Sequence, residues 1–241
     1  MNSDAQTILG HLETVGEERA RRDRDPGLDA RVIALKTYQQ RRFAKTYADL
    51  LPTDRYGPAS RFFIEELYGP RDFADRDAQF ARVVPALVRL FPREIIATVS
   101  ALAQLHALSE QLDTETATHL ESADALNAFT YTRAWQAAGR RDDREKQIEL
   151  TLQVGRSLDR LTRNPLLRHS LRMMRGPAKG AGLSDLQRFL ETGFDNFKTM
   201  HGANEFLGTI EARERRLARD LFEAPLYPEG RLGDTASGQL P

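Results

Sequence analysis

The chain has 241 residues, 40% of them hydrophobic and 29% charged, and its 35 basic side chains are matched by 35 acidic ones. Zero net charge removes the long-range field that draws a protein onto nucleic acid or anionic lipid, so no nucleic-acid partner is expected and any membrane contact needs a local patch. The absence of cysteine excludes disulfides, thiolate nucleophiles, iron–sulfur ligation and cysteine-based zinc sites.

Leu and Ala together number 60 against 14 for Val and Ile, a bias toward helix formers that predicts almost no strand. The longest stretch without a charged residue, Ile95 to Ser109, is 15 residues, short of the roughly 18 that a membrane-spanning helix needs. The first 22 residues carry no basic start followed by an apolar run, so no secretory signal is read and the expected compartment is the cytoplasm. Arg outnumbers Lys by 30 to 5, read as the mark of a GC-rich bacterial genome.

Ser3 and Asp4 can cap a first helix to about Arg24, broken by Asp25-Pro26-Gly27. Leu28, Val32, Leu35, Gln39, Phe43, Tyr47 and Leu50 recur every three or four positions and predict a helix from about Leu28 to Leu51. Pro58 suits the first turn of a short helix through Tyr68, apolar nearly all round and so expected inside. From Asp72 or Asp75 an apolar stripe runs in phase across Pro85 to Phe91, which predicts one kinked helix. Arg93 to about His119 gives the longest helix, expected at the centre, with Ile95, Val99, Leu102, Leu105 and Leu112 as its stripe.

Ser122 is the expected cap of a helix to Ala138, and Asp142 or Asp143 of another reaching Arg163. Asn164-Pro165 opens a short basic helix to Arg175, followed by a glycine-rich loop over 176–182. Ser184 caps a helix ending near His201, and a last helix runs from about Ala203 to Phe222. The fold expected is all-α, a single bundle of about eight or nine helices over 1–222, with a disordered tail over 223–241.

No nucleophile elbow, phosphate loop, H-E-x-x-H pair, calcium loop or E-x-x-H motif is present, so no catalytic or metal-binding residue is assigned. Three features remain. His106 lies within the inward arc of the central helix, with Glu110 and Asp113 one and two turns on, an arrangement able to bind metal, face a haem iron or move a proton. The commoner outcome for such a residue is a core histidine satisfied by a carboxylate. Residues 160–184 contain no acid but include Arg163, Arg168, Arg172, Arg175, Lys179 and His169 among Leu166, Leu167, Leu171, Met173 and Met174. That basic amphipathic stretch, 163–183, could hold a phosphorylated ligand, an acidic partner or, weakly, an anionic membrane surface; more often such a face pairs with acidic helices. Charges and aromatics crowd from Asp54 to Asp77, as in an ionic network or the lip of a pocket; Asp72, Asp75 and Asp77 could chelate a cation, although helix capping explains Asp72 and Asp75. Gly193, within an apolar stripe, lets another helix or a flat ligand approach the backbone closely, helix packing being the commoner cause.

The run Arg61-Phe62-Phe63-Ile64-Glu65-Glu66-Leu67-Tyr68-Gly69-Pro70-Arg71-Asp72-Phe73, with Arg76-Asp77 and later Ala107-Leu108-Ser109-Glu110-Gln111-Leu112-Asp113, resembles a family of uncharacterised helical proteins from Gram-negative bacteria. The likeness extends through Met174-Arg175-Gly176-Pro177 and Leu186-Gln187-Arg188-Phe189-Leu190, covering most of the chain. It implies a bacterial, all-helical, single-domain protein and transfers no activity. The function expected is a non-catalytic module binding a protein partner or small ligand; the alternative is a globin-like or other haem- or cofactor-binding bundle using His106 or His169.

Overall fold

A computed structural model describes residues 3–67, 69–70, 73–227, 230, 232 and 240–241. These form eleven α-helices and no strand: α1 (Ser3–Asp23), α2 (Pro26–Thr46), α3 (Gly57–Phe62) continued by a π-helical segment (Phe63–Leu67), α4 (Ala74–Leu90), α5 (Arg93–Thr118), α6 (Ala128–Ala138), α7 (Arg141–Leu161), α8 (Pro165–Met173), α9 (Arg175–Gly180), α10 (Ser184–Thr199) and α11 (Asn204–Glu223). The all-α expectation holds, with a helix count above the expected eight or nine. One element was not expected as a helix at all, α9, a helical turn where glycines suggested a loop; the amide of Ala178 bonds the carbonyl of Met174 and that of Ala181 the carbonyl of Pro177, so local hydrogen bonding overrides a poor propensity.

Several boundaries follow the sequence directly. Asp25 caps α2 through the amide of Leu28, and Asn164 caps α8 through that of Leu166. Pro85 lies within the single helix α4. Other caps differ from expectation. The cap of α6 is Asn127, in a reciprocal capping box with Thr130, while Ser122 instead serves a turn by accepting from the amide of Asp124. Neither α7 nor α10 has a side-chain cap; Asp142, Asp143 and Asp185 sit inside the first turn, where they favour the dipole. α6 ends on Gly139, whose φ of 64° suits a residue without Cβ.

α5 is the central helix, packed by α1, α2, α4, α6 and α7. Small Ala101, Ala103, Ala107 and Ala117 let neighbours approach on several sides. Its buried Thr114 and Thr116 return their hydroxyls to the carbonyls of Glu110 and Leu112, at 2.9 and 2.7 Å, so they cost no unpaired polar group. The buried apolar residues do not merge into one core. They fall into four clusters, among them an aromatic one in which Phe63 lies 5.9 to 6.4 Å from the rings of Phe43, Phe197 and Phe206.

Gly193 admits the ring of Phe62, as a Cβ there would meet its tip at 3.2 Å. At the chain end, the expected tail falls largely outside the described residues. Where it is described, Leu226 and Leu232 form a β-bridge, and Leu240 is buried in the cluster of Leu28, Tyr38 and Leu221 with its carbonyl accepting from Lys45.

Candidate functional site

Between the four clusters lies an interior cavity of about 180 Å³, partly open to solvent. On α5 the lining residues Val99, Leu102, His106, Ser109 and Asp113 keep the three-and-four spacing of one helix face. That face is apolar toward its N-terminal end and polar toward its C-terminal end. Phe80 and Leu87 of α4 join Val99 beside the apolar half. Lys36, Gln39 and Arg42, successive turns of α2, face the polar half together with Arg144 of α7 and Glu214 of α11.

The polar half is dense in hydrogen bonds and ion pairs. Glu110 accepts from Arg22 Nη2 and from Lys36 Nζ, each at 2.6 Å. Lys36 also stands 4.0 Å from Asp113, whose Oδ1 accepts from Gln39 Nε2 at 3.1 Å. Arg42 Nη1 and the Tyr47 hydroxyl donate to the same Glu214 oxygen at 2.6 and 2.8 Å. Arg144 donates to Thr116 Oγ1 at 2.8 Å and lies 3.9 Å above the ring of Trp135. Beside this network His106 Nε2 is 2.8 Å from Asp77 Oδ2, which accepts from Arg19 as well at 2.6 Å.

Burial would raise the pKa of Glu110, but the charges of Lys36 and Arg22 outweigh it and hold the value at about 2. For Asp113 burial wins: with the Glu110 charge added, Lys36 and Arg144 do not offset it, and the pKa is raised. Two carboxyl groups three positions apart are thus driven in opposite directions, Glu110 downward and Asp113 upward. Asp77 is lowered despite its burial, chiefly by His106, then by Arg76 and Arg19.

The model of one protein family, Domain of unknown function (DUF8198), matches residues 18–228. The chain belongs to this family. No curated protein and no solved structure matches it. The matched span starts just before Arg19 and includes every residue of the network and of the His106–Asp77 pair.

His106 does face the cavity, yet its carboxylate comes from α4, where Asp77 takes the place expected of Glu110. His169 is exposed on α8, outside the cavity lining. The haem reading gains no support from this arrangement, because one imidazole has committed Nε2 to a carboxylate and the other faces solvent. In the basic segment Arg163 pairs with Asp159 at 2.6 Å, Arg168 with Asp195 at 2.8 Å and Arg175 with Glu191, while Arg172 and Lys179 are exposed. Among the described residues no cluster of His, Asp and Glu is placed to hold a metal ion. Asp72 lies outside them, Asp75 is exposed, and Asp77 is occupied by cations. The crowded 54–77 segment supplies cavity lining through Glu66, Phe73 and Arg76, the last lying 4.0 Å over Phe73 and 4.6 Å over Phe189.

Lys36, Arg42, Arg144 and Glu214 are site residues that the pattern alone does not reveal. Its one signal is a polar residue in register with an apolar stripe: Gln39 between Leu35 and Phe43, Glu214 between Ile210 and Leu217. Chemically the arrangement is suited to binding. It sets fixed charges and several N–H donors against an apolar wall.

Proposed function

We propose that the chain is a binding module without chemistry of its own, and that it takes into the cavity a small molecule with an apolar body and a polar head. The observation behind this is the single α5 face on which Val99 and Leu102 give way to His106, Ser109 and Asp113. Protein interiors pack densely, so a void of this size is costly, and charges kept on its wall add a desolvation penalty. A ligand that fills the void and engages the charges accounts for both. At about 30 Å³ for each water-sized group, 180 Å³ gives room for roughly six non-hydrogen atoms, and the open side lets a longer body extend.

Native mass spectrometry and solvent extraction of protein purified from its own host provide the test. A stoichiometric amphiphile is the expected result. Protein at bare sequence mass, with no thermal stabilisation by any member of an amphiphile panel, would refute the reading. The Arg bias supports a bacterial host, and the cytoplasm is proposed as the compartment, to be checked by fractionating host cells.

A second reading concerns α8, none of whose residues is buried. Leu166, Met173 and Met174 are 71%, 67% and 50% exposed beside Arg172 and Lys179, and the adjoining α10 contributes Leu190, both exposed and on the cavity lining. This face is proposed as a weak docking surface for anionic lipid at the cavity mouth. Sedimentation with anionic liposomes should exceed that with zwitterionic ones and fall with salt; equal sedimentation would count against it.

A further inference from the structure

One donor on the cavity wall lacks an acceptor: Trp135 lines the cavity and is nine-tenths buried, and its Nε1 has no hydrogen-bond partner. An indole N–H donates and cannot accept, and a buried donor left unmade is costly, so the group that would satisfy it is an acceptor. Around it the wall is largely apolar: Tyr131, Leu217 and Ala218, which pack in the same cluster as Trp135, line the cavity with it.

The charges on the wall narrow the choice of acceptor. Among the described residues five carboxyl groups line the cavity against four cations, and they answer one another. Lys36 stands 2.6 Å from Glu110 and Arg42 2.6 Å from Glu214, while Arg76 is 3.6 Å from Asp77 and also feels the charge of Glu66. Asp113 has Gln39 at 3.1 Å and Lys36 at 4.0 Å. Arg144, whose guanidinium lies 3.9 Å over the Trp135 ring, directs its N–H groups to Thr116, Gln147 and the carbonyl of Leu112. A head of either charge would therefore lose its hydration without meeting an unanswered counter-ion, whereas a neutral oxygen loses far less and gains the indole N–H.

We propose that the cavity selects an uncharged amphiphile whose head is a carbonyl oxygen of the ketone or ester class, accepting a hydrogen bond from the indole N–H of Trp135. The inference rests on the cavity being the ligand site and names the class of ligand. A carbonyl oxygen at the indole lies in the field of Arg144 and yet brings no net charge among pairs that are already made.

Trp135 is the only tryptophan in the chain, so one emission signal and one indole N–H resonance report this donor. The ketone 2-octanone, octanoate and octylamine share one apolar chain and differ in the head. Each is titrated at neutral pH into the full chain and followed by tryptophan fluorescence and by thermal unfolding. The ketone is expected to bind about tenfold more tightly than either ion and to move the indole proton downfield. Trp135→Phe, followed by thermal unfolding, is expected to weaken the ketone about fivefold and to leave the two ions as they were. If octanoate or octylamine binds as tightly as the ketone, the uncharged head is overturned and the cavity reading stands; if none of the three binds by either readout, both fall. An undiminished ketone affinity in Trp135→Phe, or an indole proton that does not move when the ketone saturates the wild type, overturns the role given to Trp135, and the resonance decides this even where the variant does not fold.

Discussion

Glu110 offers the sharpest test of the buried network, because Glu110→Gln keeps the shape and removes the charge. Its pKa moves from an ordinary 4.5 to about 2, and that gap of roughly 2.5, at about 1.36 kcal/mol for each pKa unit, corresponds to roughly 3 kcal/mol of stability at neutral pH. A second route agrees: stripping one partner from a buried ion pair costs about 3 to 5 kcal/mol, and here both Arg22 and Lys36 lose their anion. For a chain of this size the loss corresponds to a fall in Tm of roughly 6 to 12 °C. The pH dependence has a definite sign. Glu110 titrates lower in the folded state than in the unfolded one, so its contribution is complete above 4.5 and disappears as the pH falls toward about 2. Asp113 acts oppositely: its raised pKa makes the ionised form costly, and acidification through that pKa relieves the cost. Urea unfolding at neutral pH and again near pH 3 should therefore show a large gap between wild type and variant that narrows in acid. An unchanged midpoint at neutral pH with the same m value, or a gap that does not narrow, would refute the electrostatic account.

Gly155→Ala should destabilise by about 1 to 3 kcal/mol, since its Cβ would come 2.5 Å from Cδ2 of buried Leu207 where α7 meets α11. Gly16→Ala is the matched control: on exposed α1 surface with nothing within 4 Å, it should stabilise by about 0.5 to 1 kcal/mol. Equal effects from the two would remove the packing argument. Leu240→Ala should cost about 2 kcal/mol by chemical denaturation, because Leu240 is buried against Leu28 and Leu221; no measurable loss would mean that the chain end does not dock.

Fold class was legible because leucine and alanine at helical spacing leave a chain few alternatives, and α5 was readable as the central helix from its length and low charge. The capping errors share one physical cause. Ser122, Asp142 and Ser184 are all able to cap, but which residue does so depends on where the chain turns, and that is settled by packing beyond the local sequence. The candidate site was half legible. Periodicity placed His106 and Asp113 on the cavity face, yet assigned Glu110 to His106 because both lie on one helix. Cross-helix partners at separations of 29 and 88 residues, Asp77 for His106 and Arg22 for Glu110, leave no trace in spacing. In the basic segment the opposite held: Arg163 and Arg175 have acids within 16 residues, and a count limited to the acid-free window missed them.

The network around Glu110 is a poor device for stability, and that can be tested directly. Two desolvated cations sharing one carboxylate lose hydration that their attraction only partly returns, so replacing the whole group by apolar side chains of similar size should cost far less than breaking it. The triple variant Arg22→Met, Lys36→Met, Glu110→Leu is therefore expected within about 1 kcal/mol of wild type, or above it, while Glu110→Gln alone loses roughly 3. Thr116, Gln39 and Gln147 keep their contacts with Arg144, Asp113 and Ser109, so the rest of the polar wall is retained. If the triple variant unfolds as readily as the single one, the ionic group is a structural requirement of the fold. If it is as stable as expected but binds less of the amphiphile that the wild type takes up, the charges serve the cavity, because a chain that needed only a folded core would be better served by methionine and leucine at these three positions.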